Sequence, residues 1–337
     1  MKYCVYTRCF FENAYLTYFI KHYIDLGFDK IIILYPGGSE YILPEEYLNF
    51  VYIYYVENKG DGLLPEYQYI IKNSDFDWVL SVDNDELLLL NKKYKNINDY
   101  VQEKLLINNN INAFYFRWGM IEKYDIENNN NFSYILKKYK IFSNPHIKTM
   151  FKKNDLTHVS TSYFADLNNL TIYFENLIIN NNQAIIETNE NSYKEHILIH
   201  MHTRSLHDLV LKSFNTHFHA KIVKQKNDFI EFINTLEQNL NLSNDENKII
   251  NIFLKYIGKK AELPFGHSHG KLIDMFEYDI LKYDYEIIDS NKNIDIVNCL
   301  KNNNVNLKNY FDFMKILSNK VINDKIFINA DLVVHSK

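Results

Sequence analysis

Residues 3–35 read YCVYTRCFFENAYLTYFIKHYIDLGFDKIIILY, and this stretch decides the fold class. Tyr3–Thr7 is a short apolar run, predicted as a first strand. From Asn13 onward, Leu16, Phe19, Ile20, Tyr23 and Ile24 recur at helical spacing, which predicts a helix with one apolar face. Gly27 supplies its stop, because glycine accepts the left-handed conformation that ends helices. Lys30–Tyr35 (KIIILY) is a continuous run rich in β-branched residues, as expected of a strand buried on both faces. It closes in the turn Pro36-Gly37-Gly38-Ser39. Strand, helix and strand in this order argue for parallel strands joined by a crossover helix.

The pattern continues outward. Tyr47–Phe50 reads as a helical turn, residues 51–56 (VYIYYV) as a third strand, Glu66–Asn73 as helix and Trp78–Val82 as a fourth strand. Ala113–Gly119 (AFYFRWG), Thr171–Phe174 and His196–His200 are further strand candidates, and Ser205–Lys224 reads as helix. From about residue 226 the chain becomes helical with polar breaks. The expectation is an α/β domain over 1–225 with a mostly parallel sheet, then a helical extension over 226–337. Asparagine tracts at 108–110, 128–131, 180–182 and 302–304 read as surface loops.

Composition narrows the function classes. Hydrophobic residues make up 47% of the 337, enough for a large core, and a net charge of −5 without a basic stripe argues against nucleic acid as a partner. Three cysteines without CxxC spacing give no disulfide framework and no zinc ribbon, so a reducing, cytoplasmic setting is expected. Arg8, Glu12, Asn13 and Lys21 interrupt any apolar leader. No apolar run approaches the ~18 residues of a membrane helix, which leaves peripheral contact with a membrane face open.

The chemistry concentrates in residues 80–90, LSVDNDELLLL. Asp83, Asp85 and Glu86 follow the fourth strand, at the carboxyl edge where open parallel sheets bind ligands. Paired carboxylates there suit a hard divalent cation that also holds substrate phosphates. A solvated acidic turn is the plainer alternative. The buried strand before the turn and the four leucines after it put the charges at the rim of the core.

The segment FDWVLSVDNDELLLL resembles the DxDE block of family 2 type glycosyltransferases, including the group called family 92 or domain-of-unknown-function 23. The first strand–helix–strand unit is similar to theirs as well, through Glu12, Asn13, Tyr15, Leu16, Phe19, Ile20, His22, Leu26 and Gly27. Gln68, the Trp and Gly of Phe116–Met120, and the patch His202, Arg204, Ser205 and Lys212 match further blocks. The resemblance spans roughly residues 3–215. It departs from the pattern at Pro36-Gly37-Gly38, where an aspartate that contacts the nucleotide base is often found.

The resemblance implies a GT-A fold and transfer of a sugar from a nucleotide-diphosphate donor, a UDP-sugar, to a glycan or other hydroxyl acceptor, with inversion. It implies a manganese or magnesium ion on Asp85 and Asp83, completed by His202, with His200 as the other candidate of the same strand parity. Arg204 would neutralise the diphosphate; Lys212 could join it but reads better as an ordinary surface charge. Thr7, Arg8, Glu12, Gln68 and Asp83 would contact the nucleotide, Glu12 reading equally as first-turn helix charge, and Trp118 would line the sugar pocket or else belong to the core. Lys148 and His158 resemble family positions near donor or acceptor. An inverting transfer needs a carboxylate to take the proton of the acceptor hydroxyl; Asp155 is one candidate and Asp61 another. His22 reads as a packed helix residue, and Gly266–Gly270 (GHSHG) as a polar loop. Two other classes fit the acidic cluster: a metal-dependent phosphohydrolase, and a non-catalytic carbohydrate-binding protein on a degenerate GT-A fold.

Overall fold

A computed structural model describes residues 1–9, 13–35, 43–55, 74–121, 131–153, 171–174, 177–180, 193–201, 230–236, 248–249, 251–252, 271–285, 300–301 and 304–323. Strand β1 (Tyr3–Arg8), helix α1 (Asn13–Asp25) and strand β2 (Lys30–Tyr35) fall where expected. Gly27 ends α1 at φ +92°. The Gly27 N–H donates to Ile24 O (2.9 Å) and the Phe28 N–H to Tyr23 O (3.0 Å), the paired bonds of a glycine-terminated helix. The rings of Tyr23 and Phe28 meet across this turn, with centres 5.4 Å apart.

Strands β3 (Val51–Tyr55) and β4 (Trp78–Ser81) complete the parallel half, in which β1 lies between β2 and β4 and β2 pairs with β3. This is the Rossmann-like half that the alternating pattern required. Both its faces are buried. Val5, Ile31, Ile33 and Leu80 pack on the side of α1, and Cys4, Tyr6, Ile32, Leu34 and Val79 form a second cluster. The edge strand β3 leaves Tyr52, Tyr54 and Tyr55 exposed.

Then come β5 (Glu86–Leu90), helix α2 (Ile97–Ile107), β6 (Ala113–Ile121), helix α3 (Phe132–Lys138), β7 (Ile141–Lys152), β8 (Thr171–Phe174), β9 (Leu177–Asn180) and β10 (His196–His200). Among the described residues the sheet has ten strands, in the order β3-β2-β1-β4-β7-β6-β10-β5, with β8 and β9 attached beside β6. It is mixed α/β: β7 runs antiparallel to β4 and β6, and β5 antiparallel to β10.

The loop between β4 and β5 constrains the shape of the sheet. Strand β5 lies four places from β4 in the order, about 19 Å away if the sheet were flat, at about 4.8 Å per place. Yet residues 82–85 join the two, and the Glu86 N–H donates to Asp83 O (3.0 Å), closing a tight turn. The sheet must therefore curl until the start of β5 meets the end of β4. Among the described residues the open edge of β5 is satisfied by α1 rather than by another strand. The Tyr23 hydroxyl donates to Glu86 O (2.9 Å) and accepts the Leu88 N–H (3.3 Å). His22 Nε2 donates to Leu88 O (2.9 Å).

That last bond fixes the tautomer of His22. With Nε2 protonated, Nδ1 accepts from the Tyr285 hydroxyl at 2.6 Å. Burial pushes the His22 imidazole down to about 4, so it stays neutral. His22 is thus a structural residue, as its place on the buried helix face suggested.

Tyr285 belongs to a segment that the sequence reading placed in the helical extension. Residues 271–285 instead pack with the sheet's own core through Ile273, Tyr278 and Tyr283. They join the start of β7 through Ser143 N–H to Lys271 O and Ile273 N–H to Ile141 O, each 2.8 Å. Beyond them, residues 230–236 are helical, and helix α4 spans Leu307–Asn323. Among the described residues no helix is long and apolar enough to cross a membrane.

Candidate active site

The acidic turn sits at the carboxyl edge of the parallel half, where adjoining strands deliver its partners. Tyr6 and Ser81 are opposite each other in the β1–β4 pair, and the Val82 N–H donates to Tyr6 O (3.0 Å). Two residues further along each strand, Arg8 and Asp83 face one another, with Arg8 Nη2 3.7 Å from Asp83 Oδ1. From the other side β7 brings Lys148. Its ammonium donates to Asp83 Oδ2 at 2.6 Å and lies 3.3 Å from Glu86 Oε2. Lys148 is 10% exposed, Glu86 fully buried and Asp83 44% exposed.

These three groups are set by charge and burial together. Enclosure opposes ionisation of Asp83, but the cations of Lys148 and Arg8 outweigh it and hold this carboxyl below the usual carboxylate range. Burial dominates at Glu86 and pushes its carboxyl well up, with Asp83 and Asp85 adding to the effect against Lys148. Glu86 Oε2 accepts the Asp83 N–H (2.8 Å), while Oε1 is buried with no hydrogen-bond partner among the described residues. Glu86 therefore shapes the turn from beneath, and Asp83 carries its outward charge.

Asp85 faces a different neighbour. The Met201 N–H donates to Asp85 O (2.8 Å), and His200 Nε2 lies 3.5 Å from Asp85 Oδ2. His200 ends β10, where Ile199 and His200 pair with Leu87 and Glu86 of β5. Two ligands about 2.1 Å from one ion, set at right angles, would be about 3 Å apart, so Asp85 and His200 fit a divalent cation that takes oxygen and nitrogen. Asp83 fits less well as a direct ligand, since its carboxylate is already held by Lys148.

Trp118 lies at the back of the site and is 6% exposed. Its ring packs on His200 (centres 4.2 Å apart) and stacks on His146 (4.9 Å, 29° between planes), and the Lys148 ammonium lies 5.7 Å from its centre. Its faces are largely taken by side chains of this site rather than offered to a sugar.

The chain is similar, by comparison of structures, to residues 1–349 of S. aureus TarS. The identity is 12% and the TM-score 0.30, over 76% of this chain and 81% of that one. Against TarS in complex with UDP-GlcNAc the values are 12% and 0.33, over 76% and 82%. Against its complex with UDP they are 11% and 0.33, over 78% and 81%. No family model and no curated protein matches. A TM-score this low decides nothing about the chemistry of this chain, which has to be read from its own residues.

Of the residues singled out in the sequence, Arg8, Asp83, Asp85, Lys148, Trp118 and His200 are brought to one place. Thr7 is fully buried at the end of β1, next to Arg8. Glu12, Asp61, Gln68, Asp155, His158, His202, Arg204, Lys212 and Gly266–Gly270 lie outside the described residues. Among the described residues no group of three or more His, Cys, Asp or Glu forms a ready-made metal nest. One residue of the site was missed altogether: His146. Its signal was available, since it stands two residues before Lys148 in what proves to be one strand.

Proposed function

We propose that this protein is a glycosyltransferase that moves a sugar from a UDP-sugar to a hydroxyl of a glycan or glycoconjugate, with inversion. The observation that carries this reading is the division of charge at the turn. Two cations, Arg8 and Lys148, stand on the Asp83 side, and a carboxylate–imidazole pair, Asp85 and His200, stands on the other. A diphosphate with its divalent ion needs both kinds of group at once. The resemblance of the DxDE block to family 2 and family 92 enzymes supports the same reading.

In this reading Asp85 and His200 hold manganese, His202 being the alternative histidine ligand. When bound, the ion would offset the charge that builds on the departing diphosphate. Lys148 fixes the Asp83 carboxylate and presents positive charge to a phosphate oxygen. Arg8, half-exposed at the rim, has a planar fork suited to a second one. Asp83 is then placed to accept from the donor's ribose. Trp118 keeps the His200 ring in position.

The test is calorimetric titration of UDP and of UDP-sugars with and without manganese. Binding should require manganese and should be lost in Asp85→Ala, while Asp85→Ala keeps the wild-type unfolding midpoint to within a few degrees. Metal-independent binding, or full manganese-dependent binding by Asp85→Ala, would refute the assignment.

A further inference from the structure

Strand β7 carries a bulge opposite Trp118. Arg117 pairs with Ile147 and Gly119 with Ser143, so the single residue Trp118 on β6 faces three on β7: Asn144, Pro145 and His146. Such irregularities re-aim side chains and recur beside active sites. Proline suits the position, because the ladder asks no N–H of it there.

Side chains hold this bulge in place. The Asn144 N–H donates to the Tyr193 hydroxyl (3.1 Å), and that hydroxyl donates to Trp118 O (3.0 Å). The Asn144 side chain turns back on His146. Its Oδ1 accepts the His146 backbone N–H at 3.0 Å, which identifies this atom as the oxygen of the amide. The same Oδ1 lies 2.5 Å from His146 Nδ1. An oxygen that only accepts requires Nδ1 to carry the proton. The lone pair of the neutral ring is therefore on Nε2.

We propose that His146 is the catalytic base of the transfer and that Asn144 is its positioning residue; the inference rests on the glycosyltransferase reading above. The arrangement repeats the logic of a histidine base whose Nδ1–H is held by a fixed oxygen. His146 is half-buried, on the strand that also delivers Lys148. The place is also suitable. Both His146 and His200 pack on Trp118, so their ring centres are at most about 9 Å apart. In the step, Nε2 takes the proton of the acceptor hydroxyl as its oxygen bonds to the anomeric carbon. The bond from that carbon to the diphosphate oxygen breaks, its electron pair leaves on UDP, and the proton passes from the imidazolium to solvent.

The experiment uses the full chain with UDP-glucose, UDP-galactose and UDP-N-acetylglucosamine, manganese, and methyl glycosides or water as acceptors. UDP binding is measured by calorimetry and UDP release by a coupled assay. His146→Gln is expected to bind UDP as the wild type does but to lose about 10²–10⁴-fold in kcat, with KM for the donor unchanged. Its residual rate should lack the acid limb of the wild-type pH profile. Asn144→Leu should shift that limb, and Asn144→Asp should restore the rate. Nitrogen NMR of the wild type should report the Nδ1–H tautomer for the signal that His146→Gln removes. UDP binding with His146→Gln within threefold of wild-type kcat, or an Nε2–H tautomer, would overturn the base and leave the donor site standing. No UDP binding by the wild type would overturn both proposals, and UDP binding without release from any of the probes would overturn this one.

Discussion

Replacing Lys148 with methionine keeps the aliphatic stem and removes the charge, which isolates what the ammonium does beneath the acidic turn. Breaking a buried ion pair by deleting one partner costs about 3–5 kcal/mol, because the other charge is left uncompensated. Here the cost is reduced. Asp83 is 44% exposed and retains Arg8 at 3.7 Å, so its share falls in the range of a solvent-screened pair, about 0–1 kcal/mol. Glu86 is fully buried and keeps only the Asp83 N–H on Oε2, but it can escape by taking up a proton. The expected loss is about 2 kcal/mol near pH 8. The sign of its pH dependence follows from Glu86. Burial holds this carboxyl above its unfolded value, and removing Lys148 raises it further. The folded variant then binds more protons than the unfolded chain, so its stability falls as pH rises from about 4.5. Urea unfolding at pH 5 and pH 8 should show a small loss at the lower pH and the larger one at the higher. Adding Glu86→Gln should abolish the pH dependence and recover at least 1 kcal/mol. An equal loss at both pH values, or less than about 0.5 kcal/mol at pH 8, would show that Glu86 and Lys148 are not energetically linked.

Three more outcomes can be checked. A Cβ on Gly119 would meet Ile197 Cγ1 at 2.8 Å and Ile141 Cγ2 at 2.9 Å. Gly119→Ala should therefore cost about 1–3 kcal/mol of overpacking in urea titrations, and Ile197→Val, which removes the crowding Cδ1, should recover part of it. His22 titrates at about 4 when folded against about 6.5 when unfolded, so stability is lost as pH falls from 6.5 toward 4. At about 1.4 kcal/mol per pH unit the loss is about 3 kcal/mol, and His22→Gln should flatten that part of the profile. Gly27 holds φ +92°, and a Cβ there would lie 2.9 Å from Asn96 Cβ, so Gly27→Ala should lower the unfolding midpoint, at a cost above about 1 kcal/mol.

The parallel half was legible because a strand buried on both faces is written as an unbroken apolar run, as Ile31–Leu34 show, and because α1 spaces its apolar residues for one face. Strand β5 was harder to read. Leu87–Leu90 are continuously apolar, a pattern that fits helix or strand equally, and its pairing partner lies a hundred residues on. Strand β7 was missed for a more telling reason. Asn144, Pro145, His146 and Lys148 interrupt its apolar pattern, and His146 and Lys148 are residues that the strand brings to the site. The same residues that serve the chemistry hid the strand. Asp83 and Asp85 stood out because charge beside a buried strand is locally visible. The Lys148–Asp83 pair joins residues 65 apart, and no local pattern announces it.

The four-residue link from β4 to β5 has a consequence for how this protein can vary. Ordinary surface loops tolerate insertions, since added length costs little entropy. Residues 82–85 are different, because they tie together strands four places apart in a curled sheet. Extra length there would let the curl relax, carry Asp85 away from His200, and pull the edge of β5 off His22 and Tyr23. The turn length should therefore be among the least variable features of related chains, even where the residues flanking the aspartates change, and substrate preference would have to diversify through other loops.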